Sequence, residues 1–277
     1  MTGTRRSFIT TLVTGFTVAA GPINAAAITT DTAGLDAGEV PIPVSDGKIP
    51  AYRARPSSRK NAPVILVVQE IFGVHEFIKD VCRRFAKLGL YAIAPALYAR
   101  QGDPAKYDMA HIEHLISDVV SKVPDSEVMS DLDAAVAFAK AEGADTAKLG
   151  ITGFCWGGRV VWLYAAHNPA LTAGVAWYGP LGGKPTPLKP RSAIELGPHI
   201  HAPILGNYGG KDMGIPAADI EAMRAALTAA GNVKSRIDVY GDAQHGFFAD
   251  YRDSYNEKDA KIAWPKAVAW FAENGVK

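Results

Sequence analysis

Between Pro63 and Gln69 the chain reads Pro-Val-Ile-Leu-Val-Val-Gln, an apolar run with no polar break. A strand with one wet face alternates apolar and polar side chains, so an unbroken run marks a strand covered on both sides. Covering both sides takes helices above and below the sheet. Phe77, Ile78, Val81, Cys82, Phe85 and Leu88 recur at helical spacing and stop at Gly89, which predicts an amphipathic helix soon after that strand. Further strands are predicted at Tyr91 to Ala94, Lys148 to Thr152, Ala173 to Tyr178, Pro203 to Tyr208 and Ser235 to Tyr240. Helices are predicted at Met129 to Glu142, Trp156 to His167, Ala217 to Ala230 and Lys258 to Asn274. Val40 to Val44 and Ile49 to Ala54 read as a leading hairpin around Ser45-Asp46-Gly47. The alternation implies an α/β fold, a mainly parallel, doubly wound sheet with helices on both faces. No repeat or low-complexity linker interrupts it from Glu39 onward, so residues 28–277 are expected to form a single domain.

Charge excludes one class of partner. Lysine and arginine number 29 against 28 acids, a net of +1, with no basic run of the kind that tracks a phosphate backbone, and nucleic acid is not expected. The two cysteines, Cys82 and Cys155, are too few for a disulfide scaffold and form no Cys-x-x-Cys pair. Any cysteine chemistry is therefore single-thiol chemistry.

Residues 1–27 differ from the rest. A polar start containing Arg5-Arg6 leads into an apolar run from Phe8 to Ala20, then Gly21-Pro22 and the small residues Ala25-Ala26-Ala27. This is the tripartite layout of an export signal, and Thr4-Arg5-Arg6-Ser7-Phe8-Ile9 resembles the twin-arginine type, which implies a protein exported folded to the periplasm or beyond. The apolar run falls short of the roughly 20 residues that span a bilayer, so no stable membrane anchor is expected.

In doubly wound sheets, sites form beyond the carboxyl ends of the strands. Four loops there carry unusual polar residues: those after Gln69, Thr152, Tyr208 and Tyr240. Gly153-Phe154-Cys155-Trp156-Gly157-Gly158 joins a strand to a helix and sets a thiol between glycines, the pattern of a nucleophile elbow with cysteine in the serine place. Small neighbours are needed because the backbone at the nucleophile turns too sharply for a flanking Cβ. The turn also puts Cys155 at a helix N-terminus, where backbone N–H groups favour the thiolate. Cys155 is expected to be exposed there, and Cys82 to pack in the apolar face of its helix. Asp212 follows in Gly209-Gly210-Lys211-Asp212 and His245 in Gln244-His245-Gly246-Phe247. The order nucleophile, acid, histidine is that of α/β-hydrolases: His245 takes the thiol proton or pairs with the thiolate, and Asp212 orients the imidazole. Asp242 is a rival acid, but it shares the loop of His245 and the fold's usual topology favours Asp212. The N–H groups of Ile71 and Trp156 are the expected oxyanion donors. Glu70, directly after an apolar strand, either makes an ordinary ion pair or reaches the thiol and arginines at the same site.

Gln69-Glu70-Ile71-Phe72-Gly73, Leu97-Tyr98-Ala99-Arg100, the Gly153 to Gly158 elbow, Gly209-Gly210-Lys211-Asp212 and His245-Gly246-Phe247 together resemble the dienelactone hydrolase family, the carboxymethylenebutenolidases. The resemblance runs from about Glu39 to the C-terminus. It implies an α/β-hydrolase fold, the triad Cys155, His245 and Asp212, a small lactone or ester as substrate and no cofactor. It also implies that Glu70 holds or accepts the thiol proton until substrate displaces it. One departure stands out. Members that cleave dienelactone carry a carboxylate-binding arginine four residues after the catalytic histidine, and here that place is Ala249, followed by Asp250.

Arg100 and Arg159 remain candidate carboxylate binders, each also readable as a surface ion-pair partner. Trp156, Trp177, Tyr178, Phe247 and Phe248 cluster at strand ends as candidate walls of an apolar pocket, although Trp177 is equally readable as core. His111 with His114, and His199 with His201, are metal half-sites without a further close ligand set, so no metal is expected. Besides lactone hydrolysis, the sequence is compatible with a broad carboxylesterase, a non-catalytic periplasmic binding protein on the same fold, or a thiol redox protein lacking a resolving cysteine.

Overall fold

The computed structural model describes residues 27–107 and 111–277. The segment read as an export signal lies outside the described residues except for Ala27. Among the described residues no helix is long and apolar enough to cross a membrane.

One eight-stranded sheet organises the chain: β1 (Leu35–Val44), β2 (Gly47–Pro56), β3 (Pro63–Val68), β4 (Tyr91–Pro95), β5 (Asp145–Phe154), β6 (Ala173–Trp177), β7 (Ile204–Gly209) and β8 (Arg236–Tyr240). Their spatial order is β1-β2-β4-β3-β5-β6-β7-β8. The β1/β2 hairpin and the β2/β4 pair are antiparallel, and every other pairing is parallel. This is the α/β-hydrolase fold. All six residues of β3 are buried because β4 and β5 flank it and helices cover both its faces. Each fully buried Val, Ile or Leu there contributes about 1.5–3 kcal/mol.

The helices are α1 (Glu76–Lys87), α2 (Ile112–Asp118), α3 (Asp125–Ala141), α4 (Trp156–His167), the single-turn α5 (Ala193–Leu196), α6 (Ala217–Ala229) and α7 (Glu257–Glu273). Phe85 of α1 packs on Trp264 and Phe271 of α7, with ring centroids 4.9 and 5.8 Å apart, so these two helices share a face. Tyr164 of α4 donates to Asp133 of α3 at 2.9 Å. Several elements depart from expectation, three of them for plain physical reasons. The first strand begins at Leu35 because Leu35 to Glu39 continue the pairing with β2. Helix α3 starts four residues before Met129, after Pro124 at its N-cap, with Asp125 and Glu127 complementing the positive end of the helix. Helix α2 buries only Ile112 and Leu115, too few to leave a periodic signal.

Candidate active site

Strand β5 ends at Phe154 and α4 begins at Trp156, leaving Cys155 alone to turn the chain. Its backbone sits at φ 55° and ψ −118°, a left-handed geometry uncommon for a residue with a Cβ. The glycines show why the turn needs them. A Cβ on Gly153 would fall 2.3 Å from the carbonyl oxygen of Gly157, one on Gly157 2.5 Å from that of Gln69, and one on Gly158 2.4 Å from that of Trp177. Cys155 N–H donates to the Trp177 carbonyl at 3.0 Å, tying the elbow to the end of β6. As the N-cap of α4 the thiol makes no capping bond and is left to the site.

The expected triad partners converge on that thiol. His245 Nδ1 donates to Asp212 Oδ2 at 2.7 Å, and both side chains are almost wholly buried. Asp212 Oδ1 in turn accepts the Gly214 N–H at 2.8 Å. Nδ1 is engaged by Asp212, and the other side of the ring makes a hydrogen bond with Cys155. Burial opposes the imidazolium, but the Asp212 carboxylate and then Cys155 outweigh it and raise the histidine above its ordinary range. The rival Asp242 is turned outward to Lys211 Nζ at 2.7 Å with most of its side chain in solvent.

Ile71 and Trp156 both line the cavity of about 220 Å³ that holds Cys155. Neither backbone N–H is taken by a backbone acceptor among the described residues, so both are available to an oxyanion. Cys155 is not exposed as expected. It shows 0% of its surface, as does Cys82, and the two differ in that Cys155 floors a cavity while Cys82 lies in the core. Burial pushes the Cys82 thiol far above the ordinary range.

Glu70 follows the ion-pair reading. Its Oε1 accepts from Arg252 Nη2 at 2.8 Å, and its Oε2 accepts from Tyr251 at 2.6 Å and from His75 Nε2 at 3.1 Å. Burial alone would raise its carboxyl, but the Arg252 charge, then His75 and Tyr251, hold it well below the usual carboxylate range. Arg252, Tyr251 and His75 were not singled out from the sequence. The one signal available was a charged residue three positions beyond Ala249. Cys155 still shares the neighbourhood: burial and then the Cys155 charge raise Tyr98, and burial followed by Glu70 raises Tyr178.

The proposed substrate-binding residues fare differently. Arg100 is not at the cavity; Asp46 and Asp131 engage its guanidinium at 2.7 and 2.8 Å. Arg159 does line the cavity, but Asp125 holds it in a two-point ion pair at 2.7 and 2.8 Å. Trp177 and Phe247 are core rather than pocket wall: both show 0% of their surface, and Trp177 stacks on Phe154 and Phe248 while donating to Thr152 at 3.0 Å. Tyr178 is also sealed, edge-on to His245 at 5.2 Å, and braces the imidazole instead of lining the cavity. The cations that do line it with Arg159 are Lys184, Lys189 and Arg191, and no carboxylate lines it among the described residues. Burial, then Arg159, pushes Lys189 down to about 8. Among the described residues no group of three His, Cys, Asp or Glu could hold a metal ion.

A strained strand-to-helix elbow, with an aspartate and a histidine delivered from the ends of β7 and β8, defines the chain as an α/β-hydrolase. It belongs to the dienelactone hydrolase family, whose model matches residues 49–275. It is 58% identical over 275 residues to a Methylorubrum extorquens protein named "Putative carboxymethylenebutenolidase", covering 98% of this chain and 94% of that protein. An Escherichia coli protein of the same name is 49% identical over 269 residues, covering 97% and 98%. The crystal structure of a Klebsiella pneumoniae protein titled "Putative Dienelactone Hydrolase" superposes with a TM-score of 0.83 at 51% identity, covering 86% of this chain and 98% of that one.

Proposed function

We propose that this hydrolase opens a lactone, or cleaves a related carboxylic ester, through a cysteine acyl-enzyme. The observation that carries the reading is the chain of contacts from Asp212 through His245 to Cys155 on the floor of the cavity. His245 takes the thiol proton as the sulfur attacks the carbonyl carbon. The tetrahedral oxyanion is held by the N–H groups of Ile71 and Trp156, and the C–O bond breaks as the leaving oxygen takes the proton back from His245. Water then attacks the thioester, His245 takes a proton from it, and the acid leaves as the thiol reforms.

The lining supports a substrate that carries a negative charge. Lys184, Lys189 and Arg191 line the cavity, no carboxylate lines it among the described residues, and the name carried by the relatives describes a lactone bearing a carboxylate. Arg252 and Glu70 act together beside the thiol, with Glu70 a fixed negative charge whose orientation shapes the reactivity of Cys155. Residues 1–27 are proposed as a twin-arginine export signal that delivers the folded enzyme to the periplasm, where burial of Cys155 limits its access to oxidants.

A panel of carboxylate-bearing lactones, neutral lactones and aryl esters tests the reading. Turnover that is fastest on the charged lactones, and lost in Cys155→Ala, is the expected result. A protein that binds these compounds without turning any over contradicts it.

A further inference from the structure

A second cavity, of about 540 Å³, is lined by Phe72, Gly73 and Val74 of the loop whose Ile71 lines the cavity of Cys155. Tyr52 and Tyr98 also wall it, and His75 is among its lining residues. The loop explains how His75 arrives there. After Glu70 the chain reverses, the Gly73 N–H donates to the Glu70 carbonyl at 3.2 Å, and Gly73 adopts φ +76° with Pro104 packed against it. The reversal returns His75 to Glu70, its imidazole 3.1 Å from Oε2.

His75 is the N-cap of α1, yet its side chain makes no capping bond. The imidazole therefore does not serve the helix. It is held by rings, edge-on to Tyr251 at 5.0 Å and stacked near Phe77 at 6.1 Å, so that Nε2 points at the carboxylate. Because the ionised Glu70 only accepts hydrogen bonds, Nε2 must carry the hydrogen. Of the three donors around Glu70, His75 alone lines this second cavity.

We propose that His75 is a positioning residue for Glu70, fixing the carboxylate orientation that sets the reactivity of Cys155, and that it is reached from solvent through the second cavity. The inference rests on the role given to Glu70 above. A side chain that orients from the wall of an open cavity is replaceable by a free molecule of the same shape, whereas one that merely fills space in a core is not.

The test is chemical rescue. In His75→Ala, turnover of an aryl ester and the rate of Cys155 alkylation by iodoacetamide are measured with and without millimolar imidazole, alongside His75→Gln, Glu70→Ala and His245→Ala. Melting temperatures establish that each variant is folded. His75→Ala is expected to change both rates at least threefold, with kcat affected more than KM. Imidazole should restore them at least halfway, His75→Gln should keep most of the wild-type behaviour through its amide N–H, and imidazole should not rescue Glu70→Ala. Wild-type rates in a folded His75→Ala, with Glu70→Ala impaired, overturn the positioning role of His75 while leaving that of Glu70 intact. Wild-type rates in Glu70→Ala overturn the reading of Glu70 itself. Altered rates in His75→Ala that imidazole leaves unmoved overturn the access through the second cavity.

Discussion

Arg252 Nη2 lies 2.8 Å from Glu70 Oε1, and neither side chain exposes more than 1% of its surface. The two residues are 182 positions apart, joined by the fold rather than by any local pattern. A charge sealed this completely depends on its partner: removing one member of a buried pair costs about 3–5 kcal/mol, because the other is left uncompensated. Arg252→Ala should therefore lower unfolding free energy by that order in urea titrations, and Glu70→Gln in the same background should recover part of it. Additive losses would contradict a coupled pair.

The same pair sets an acid limit. Glu70 is held below the usual carboxylate range, so its contribution is fully present above the ordinary glutamate pKa and is lost as pH falls through its lower folded value. The drop in stability of the wild type between neutral and strongly acid pH should be smaller in Glu70→Gln, as read by chemical unfolding at each pH.

His245 has the opposite sign. Its imidazole is raised, so the stabilisation it gains from Asp212 is complete below the ordinary histidine pKa and is lost as pH rises through the raised value. Asp212→Asn should flatten that alkaline loss and reduce turnover on the order of 10²-fold or more. Asp242→Asn, at an exposed pair with Lys211, should do neither.

The residues of the proposed triad were legible because each sits in a short local motif with a mechanical reason. Gly153 and Gly157 are required by contacts of 2.3 and 2.5 Å, and Cys155, Asp212 and His245 each follow a strand that its own apolar run announced. The sheet was legible for the same reason, since β3 is buried over its whole length. What surrounds the triad was not. Tyr251, Arg252 and His75 acquire meaning only when the loop after β3 meets the loop after β8, a pairing set by tertiary topology. Phe247 was read as pocket wall, and Trp177 left open between wall and core, because aromatic content at strand ends does not reveal direction. In the structure they turn into the stack formed by Phe154 and Phe248.

Substrate charge should be read by Lys189. Its ammonium is pushed down to about 8, so its charge is present below that pH and lost above it. KM for a carboxylate-bearing lactone should rise as pH passes about 8, while KM for a neutral aryl ester should not follow it. Lys189→Met should raise the first KM at neutral pH and remove its dependence near pH 8. Arg100→Ala, which breaks the pairs with Asp46 and Asp131 away from the cavity, should leave both KM values unchanged.

Whether Cys155 carries the acyl group is measured most directly by the mass of the enzyme quenched in acid during turnover of an aryl ester. The mass should increase by one acyl group, located on the peptide containing Cys155 and absent from Cys155→Ala. Unimpaired hydrolysis by Cys155→Ala, or an acyl group found on any other residue, would contradict the cysteine acyl-enzyme.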